Sequence, residues 1–294
     1  MRCADLTDVE ELVRDLKAWL LVLPHDAVFT HVTAAALYGW SLPKLPEAVP
    51  VFAATADDTR PRRPGLGCSR LRRNARPRRR LGLPVDAPEE VLLRAARDLA
   101  VLDLVPMVDS ALRHDVELEE LESICRSRRP GVRRLREAVA LADSRPESGW
   151  ESRLRVFHVL IGLDVEPQKQ LFAPDGRPLG RADLLIRGTD MVQEYDGAVH
   201  ANRAVRQRDL RRARRIAETP YVRRGYTADD LINHDLAVLQ EIDRALGRRS
   251  TPSRLQKWRA WVAESTYSPA GRARLQNRWR VILTPRHWSG NART

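Results

Sequence analysis

Apolar residues recur every three to four positions along much of the first half of the chain, which is typical of amphipathic helices. The first such segment, residues 8–23, stops at Pro24, and the second, residues 29–43, is closed by Gly39. Further helices are predicted at residues 87–114, 117–125 and 131–143. A short apolar run at residues 49–54 predicts a strand. The first part of the chain is therefore predicted to be a mostly helical α+β domain.

The hydrophobic periodicity changes after residues 144–150. Ser148 and Glu151 have the spacing of a helix capping box, so a helix is predicted over residues 151–162. Short alternating segments separated by turns follow, which is typical of strands. The predicted strands are 165–173, 181–187, 190–197 and 221–226, and the predicted helices are 202–218 and 227–246. The second part of the chain is therefore predicted to have the order αβββαβα.

These changes predict three regions, which are residues 1–143, residues 144–250 and a C-terminal extension of residues 251–294. The extension is rich in arginine and tryptophan. Its tryptophans are Trp258, Trp261, Trp279 and Trp288. Such rings could stack on nucleic-acid bases, but packing in a hydrophobic core is the preferred interpretation.

The charge of the chain adds a candidate partner. The net charge is +12 and the isoelectric point is about 10.5, and an excess of arginine attracts polyanions such as nucleic acids. A genome rich in arginine codons is the alternative explanation. Residues 60–80 contain ten arginines and no acidic residue. Proline and glycine interrupt this segment, which is therefore predicted to be a loop or a hairpin arm.

Cysteine content and hydropathy limit the cellular location. The three cysteines, Cys3, Cys68 and Cys125, fit neither a disulfide framework nor a metal motif, which favours a reducing cytoplasm. The apolar run near the N-terminus is too short to span a bilayer. We therefore expect a cytoplasmic protein with no membrane partner.

Residues 192–200, VQEYDGAVH, place the carboxylates of Glu194 and Asp196 on one face of a predicted strand. If residues 188–189 form a two-residue hairpin loop, Asp183 lies directly opposite Glu194. Opposed like charges destabilise a sheet unless a proton or a cation lies between them. A divalent cation that prefers oxygen ligands, such as Mg²⁺ with Mn²⁺ as the alternative, removes this repulsion. The sequence therefore predicts a metal site at this hairpin.

Each acidic residue also has a purely structural interpretation. Glu151 on the upstream helix is a further candidate ligand, although a capping-box glutamate needs no other role. Asp183 and Glu194 could belong to a solvated edge hairpin, but the apolar residues around them favour the metal site. Asp196 could be a turn residue before Gly197.

Residues 145–235 resemble the DUF559 group of very-short-patch-repair-like endonucleases, within the PD-(D/E)XK nuclease superfamily. The matching segments are SGWESRLR, VEPQ, GRADLLI, QEYDGAVH and RDLRRARRIAE. The resemblance implies a restriction-endonuclease-like αβββαβ core in which Asp183 and Glu194 bind Mg²⁺, with Glu151 as a helix acid. Many relatives have lysine at the position of Asp196, whereas an acid is usual in the DUF559 group.

The missing lysine leaves the orientation of the attacking water to another side chain. The candidates are Gln168 on the preceding strand, Arg208 on the following helix, and His200, which is either an acid or base near neutral pH or a hydrogen-bonded loop histidine. The backbone carbonyl of Tyr195 is predicted to add an oxygen ligand. The arginines predicted to contact DNA phosphates are Arg70, Arg72, Arg73, Arg203, Arg206, Arg208, Arg211 and Arg212.

Residues 29–43, FTHVTAAALYGWSLP, resemble the AbiEi-like antitoxin domain found ahead of DUF559 domains. This resemblance implies a DNA-binding region of winged-helix type. The arginines of residues 60–80 would add phosphate contacts to it.

Three functions are consistent with these residues. The first is a Mg²⁺-dependent DNA endonuclease in repair, restriction or phage defence. Such an enzyme would be associated with the nucleoid and would need no small-molecule cofactor. It would be a homodimer if it cuts both strands. The second is a non-catalytic DNA-binding regulator of antitoxin type whose nuclease domain is degenerate. The third is an RNA-acting nuclease. The acidic residues favour the first, and the missing lysine favours the second.

Overall fold

The computed structural model describes residues 6–58, 60–71, 76–197 and 214–284. The chain divides into two compact units, a first unit of residues 1–140 with 264–294 and a second unit of residues 141–263. Each unit combines helices with one mixed β-sheet, so the protein is of mixed α/β class. In the described ranges, no helix is long and apolar enough to cross a membrane.

The elements come largely in blocks of consecutive strands or consecutive helices. The helices are α1 (Leu6–Leu20), α2 (His31–Tyr38), α3 (Pro88–Ala95), α4 (Val101–His114), α5 (Leu118–Cys125), α6 (Val132–Val139), α7 (Gly149–Leu160), α8 (Ala228–Asn233), α9 (Asp235–Ala245), α10 (Gln256–Glu264) and α11 (Pro269–Leu283). The strands are β1 (Val28–Phe29), β2 (Val51–Thr55), β3 (Leu66–Arg70), β4 (Arg78–Arg80), β5 (Leu83–Val85), β6 (Val165–Phe172), β7 (Pro178–Ile186), β8 (Met191–Tyr195) and β9 (Val222–Tyr226). Residues 214–217 are helical as well.

The sheet of the first unit has the strand order β3-β2-β1-β5-β4. The pairs β1–β2 and β4–β5 are antiparallel, and the pairs β1–β5 and β2–β3 are parallel. The core of this unit contains fully buried apolar side chains of α3 and α4, such as Leu92, Leu102 and Val105. Helix α2 ends at Gly39, whose φ of +76° forms the left-handed cap expected of a glycine there.

The arginine-rich segment of residues 60–80 contains the predicted hairpin arm at its end, and it also contains a strand that was not predicted. Its described parts contain β3 and β4, which form the two opposite edges of the first sheet. Arginine is compatible with such positions because charged side chains on an edge strand discourage further strand pairing. Strand β4 is an arm of the hairpin with β5, which turns at residues 81–82. The pairing of β3 with β2 does not follow from composition, because β2 lies outside the segment.

Two helices predicted to be continuous are each divided in the structure. The predicted helix 87–114 is interrupted between α3 and α4, where the Asp98 carboxylate accepts a hydrogen bond from Trp279 Nε1 at 2.8 Å. The predicted helix 227–246 begins with the expected cap at Thr227 but is interrupted at His234, which leaves helical geometry. Hydrophobic spacing continues through both interruptions, so the periodicity does not reveal them.

The sheet of the second unit has the order β6-β7-β8-β9, in which β6–β7 and β7–β8 are antiparallel and β8–β9 is parallel. Leu184 pairs with Gln193 and Leu185 pairs with Val192. This is the register that follows from a two-residue loop at residues 188–189, so the hairpin prediction is confirmed. The predicted capping of α7 is also observed, because Ser148 Oγ accepts a hydrogen bond from Glu151 N–H at 3.2 Å.

The C-terminal region does not form the separate extension that was predicted. Residues 251–263 belong to the second unit, where Trp258 is fully buried and its Nε1 donates to the Leu231 carbonyl at 2.9 Å. Residues 264–294 belong to the first unit, where Trp279 is fully buried and bonded to Asp98. Tryptophan burial is therefore the interpretation that holds at these two positions, while Trp288 lies outside the described residues.

Candidate functional site

The predicted metal ligands Asp183 and Glu194 lie on the adjacent strands β7 and β8. Continuation of the observed register past Leu184 and Gln193 puts the two acids in opposed positions. The Asp183 carboxylate also bonds to β8 directly, since its Oδ2 accepts a hydrogen bond from Tyr195 N–H at 2.8 Å. Glu194 is 5% exposed. The structure thus brings together the two residues on which the site prediction depends.

The positively charged side chain of Arg223, on β9, contacts two of the predicted acidic site residues, Glu194 and Asp196. The guanidinium of Arg223 forms an ion pair with Glu194 through Nε and Oε2. Its Nη2 donates to Asp196 Oδ1 at 2.8 Å. Burial lowers the pKa of Arg223, but the bonds and charges of Glu194 and Asp196 outweigh burial and raise the pKa above its usual value. Sequence analysis did not identify Arg223 as a site residue.

The position of Asp196 depends on Gly225 in the neighbouring strand. The backbone N–H of Asp196 donates to the Tyr226 carbonyl at 2.9 Å, which continues the β8–β9 pairing by one residue. A Cβ atom added at Gly225 would lie 1.7 Å from Asp196 Oδ2, so the absence of a side chain makes room for this carboxylate. Asp196 is therefore held beside the sheet and against Arg223. It is also a turn residue, as the alternative interpretation predicted, because Gly197 N–H donates to the Tyr195 carbonyl across it.

The side chain of Glu151 contacts both the segment before α7 and strand β6. Its Oε2 accepts hydrogen bonds from Glu147 N–H and from Gln168 Nε2, both at 2.8 Å. The Glu151 carboxylate therefore bonds to the residue before the N-cap Ser148 and does not complete the predicted capping box, and it also contacts Gln168, a predicted site residue. Its predicted metal contact stays a prediction.

Gln168 has a backbone conformation that is unusual for a residue with a side chain. Its φ is +53°, in the left-handed region, and such conformations cost about 1–3 kcal/mol and are concentrated at functional sites. The neighbouring pairs are Pro167 with Leu184 and Lys169 with Ala182. Gln168 of β6 therefore lies opposite Asp183 of β7. The Gln168 side chain in turn contacts Glu151 of α7.

Tyr195 is held by stacking as well as by its backbone. Its ring stacks on Trp150 at the start of α7, with ring centroids 5.3 Å apart and an interplanar angle of 5°. The carbonyl of Tyr195, predicted as a metal ligand, accepts a hydrogen bond from Gly197 N–H at 3.2 Å. A carbonyl oxygen has a second lone pair, on which the predicted ligand role depends.

A neutral histidine lies behind β8. His158 of α7 is fully buried and contacts the Leu154 carbonyl through Nδ1 at 2.8 Å and the Gln193 Oε1 atom through Nε2 at 3.4 Å. Burial lowers its pKa to about 4, against the opposing effect of these two contacts. The alternation of a strand puts Gln193 and Glu194 on opposite faces, so His158 supports the sheet and does not line the acidic site.

Most of the arginines predicted to contact DNA cannot be compared with the structure. The predicted DNA contacts that lie outside the described residues are Arg72, Arg73, Arg203, Arg206, Arg208, Arg211 and Arg212. The candidate catalytic residue His200 lies outside them as well. Arg70 is described, and its side chain is 64% exposed and ion-paired with the exposed Asp58 at 2.9 Å. An exposed pair of this kind contributes little stability, so Arg70 can exchange Asp58 for a phosphate at low cost.

The chemistry of the site fits a divalent cation, although the arrangement is not that of a preformed metal site. Within the described ranges, no group of three or more histidine, cysteine or acidic side chains is positioned to hold a metal. The donors are nevertheless carboxylate oxygens, which Mg²⁺ and Mn²⁺ prefer. The guanidinium of Arg223 shows that this face accommodates positive charge between Glu194 and Asp196.

Comparison of the chain with protein-family models, with curated proteins and with solved structures found no match in any of the three.

Proposed function

We propose that the second unit is a Mg²⁺-dependent DNA endonuclease domain of PD-(D/E)XK type. Within that type, its sequence resembles the DUF559 group. The observation that supports this most directly is the β7–β8 register, which brings the opposed positions of Asp183 and Glu194 together. The order of one helix, three antiparallel strands and a parallel fourth strand is compatible with the αβββαβ core of such nucleases. Mn²⁺ is the alternative ion.

Each site residue has a role in hydrolysis of a phosphodiester bond. Asp183 and Glu194 would hold the cation, which when bound supplies a more acidic water and neutralises charge at phosphorus. Gln168 and Glu151 are hydrogen-bonded to each other at 2.8 Å and can together orient a water through the amide and the carboxylate. A Glu carboxylate is also a suitable acceptor for the proton of that water.

The first unit would bind DNA in this proposal, in the manner implied by the AbiEi-like segment. The net charge of +12 supports a polyanionic partner. Such a protein would act in the cytoplasm at the nucleoid, and a homodimer is the assembly expected if both strands are cut. RNA is the alternative substrate, and a parallel cleavage assay on RNA would detect its hydrolysis.

A second candidate function is a non-catalytic DNA-binding regulator whose nuclease domain is degenerate. The specific observation in its favour is Arg223, which neutralises Glu194 and Asp196 without a metal ion. Asp196 also stands where many relatives have lysine. In this case the acidic cluster would serve only the stability of the sheet.

Nicking of supercoiled plasmid in Mg²⁺ distinguishes the two candidates. The endonuclease predicts nicking by the wild type, which is lost in Asp183→Asn and Glu194→Gln but kept in Glu241→Gln. Glu241 is a suitable control because it pairs at 2.8 Å with Arg224, the β9 residue next to Arg223, and so is an acid in a similar ion pair outside the predicted site. Binding of DNA without cleavage in Mg²⁺ or Mn²⁺ would exclude the endonuclease and favour the regulator.

A further inference from the structure

Arg223 is placed by the sheet so that it reaches the acidic cluster. In the parallel β8–β9 pair, Val192 is opposite Arg223 and Glu194 is opposite Gly225. Arg223 and Gly225 therefore share one face of β9. The missing side chain at Gly225 leaves the space that the Asp196 carboxylate enters, which allows one guanidinium to contact Glu194 and Asp196 together.

The neighbouring arginine shows that this contact is specific to one position. Arg224 points to the other face of β9, where it pairs with Glu241 at 2.8 Å. The Arg223 side chain is 36% exposed, whereas that of Glu194 is 7% exposed. The guanidinium can thus leave the cluster toward solvent, but Glu194 cannot follow it.

The acidic cluster of Asp183, Glu194 and Asp196 requires a nearby positive charge, which either a side chain or a cation can provide. Asp183, Glu194 and Asp196 lie within a few residues of one another on adjacent strands, and a nearly buried carboxylate is strongly unfavourable without a counter-charge. Arg223 supplies that charge from within the chain. A divalent cation bound to Glu194 would supply the same charge, and the two could not both occupy the oxygen atoms that Arg223 now contacts.

We propose that Arg223 exchanges partners: it neutralises Glu194 and Asp196 when no metal is bound, and it contacts a DNA phosphate when a divalent cation takes its place. This inference rests on the proposed nuclease function. Guanidinium groups suit phosphate because they offer paired donors in a planar arrangement.

Metal binding tests the exchange without relying on activity. Mn²⁺ affinity is measured by calorimetry, and the Mn²⁺-induced rise in melting temperature is measured against EDTA, for wild type, Arg223→Ala, Arg223→Gln and Arg224→Ala. Because a competitor is removed, both Arg223 variants should bind Mn²⁺ about tenfold more tightly and show a larger rise in melting temperature. Arg224→Ala should match the wild type. Unchanged or weaker Mn²⁺ binding in both Arg223 variants would overturn the exchange.

Cleavage at saturating Mn²⁺ tests the phosphate contact and separates this inference from the proposed function. We expect Arg223→Ala to nick plasmid at least tenfold more slowly than wild type even though it binds the ion more tightly. Full nicking activity in this variant would overturn the phosphate contact while the nuclease function stands. If wild type binds no Mn²⁺ and cuts no DNA, both the inference and the proposed function fail.

Discussion

The Gln168 side chain donates a hydrogen bond from Nε2 to Glu151 Oε2 at 2.8 Å, from a backbone position whose φ is +53°. A residue with a side chain is strained in this region, whereas glycine is not. The strain and the contact occur together, because the unusual backbone directs Gln168 of β6 to the first turn of α7.

Substitution of Gln168 should reverse the usual order of alanine and glycine. Gln168→Ala loses the hydrogen bond but keeps the strained backbone, so we expect a destabilisation of about 1 kcal/mol. Gln168→Gly also loses the bond but relieves the strain, so it should be about 1 kcal/mol more stable than Gln168→Ala. Urea unfolding of the two variants measures this difference. If the alanine variant is the more stable, the left-handed conformation is not imposed by the fold.

Asp183 should contribute to stability independently of any metal. Its Oδ2 accepts a hydrogen bond from Tyr195 N–H, and bonds to charged groups contribute about 1.5–3 kcal/mol. Asp183→Ala should therefore be clearly less stable in EDTA than Asp183→Asn, whose amide oxygen still accepts the bond. Equal melting temperatures for the two variants would show that the bond does not hold β7 to β8. The asparagine variant is consequently the better choice for activity measurements.

His158 should make stability depend on pH in the weakly acidic range. Its pKa is about 4 in the folded protein and about 6.5 when unfolded, so the unfolded state binds a proton at higher pH. The stabilisation is complete above pH 6.5 and is lost as the pH falls toward 4, by at most about 3 kcal/mol.

His158→Gln tests this dependence against a matched control. In denaturant unfolding at several pH values, the variant should show a flatter dependence between pH 6.5 and 4 than the wild type. His234→Gln is the control, because His234 is exposed and its exposed pair with Asp229 contributes little stability. A dependence as steep in His158→Gln as in wild type would contradict the assignment.

Trp258 should stabilise the fold and leave DNA affinity unaffected. The ring is fully buried and its Nε1 donates to the Leu231 carbonyl at 2.9 Å. Trp258→Phe leaves this carbonyl without its donor and should cost about 1–3 kcal/mol. Under conditions where the variant is folded, its affinity for DNA should equal that of wild type. A loss of DNA affinity without a loss of stability would instead favour stacking on bases.

The hairpin of the site could be predicted from the sequence because its register depends on local rules. A two-residue loop at 188–189 fixes which residues of β7 and β8 face each other, and the strand period of two then gives the face of each side chain. The capping of α7 by Ser148 follows from spacing in the same way. The register was enough to place Asp183 opposite Glu194, and the capping spacing was enough to place Glu151 in the first turn of α7.

The features that sequence analysis missed depend on contacts between distant segments. Arg223 reaches Glu194 through the parallel β8–β9 pair, whose register no turn determines. The strain at Gln168 depends on how α7 packs against β6, and Arg70 of β3 becomes a strand residue only through the pairing of β3 with β2. The division of the C-terminal region between the two units likewise depends on side-chain contacts such as Trp279 with Asp98.

The central claim is that the acidic cluster of the second unit supports metal-dependent cleavage of DNA. The most direct measurement is the rate of plasmid nicking by wild type and by Glu194→Gln in Mg²⁺, with EDTA and Glu241→Gln as controls. We predict nicking that EDTA abolishes, that Glu241→Gln retains, and that Glu194→Gln reduces on the order of 100-fold or more, as expected when charge stabilisation at the reacting phosphate is lost. Nicking that is equally fast in Glu194→Gln, or absent from the wild type, would contradict the claim.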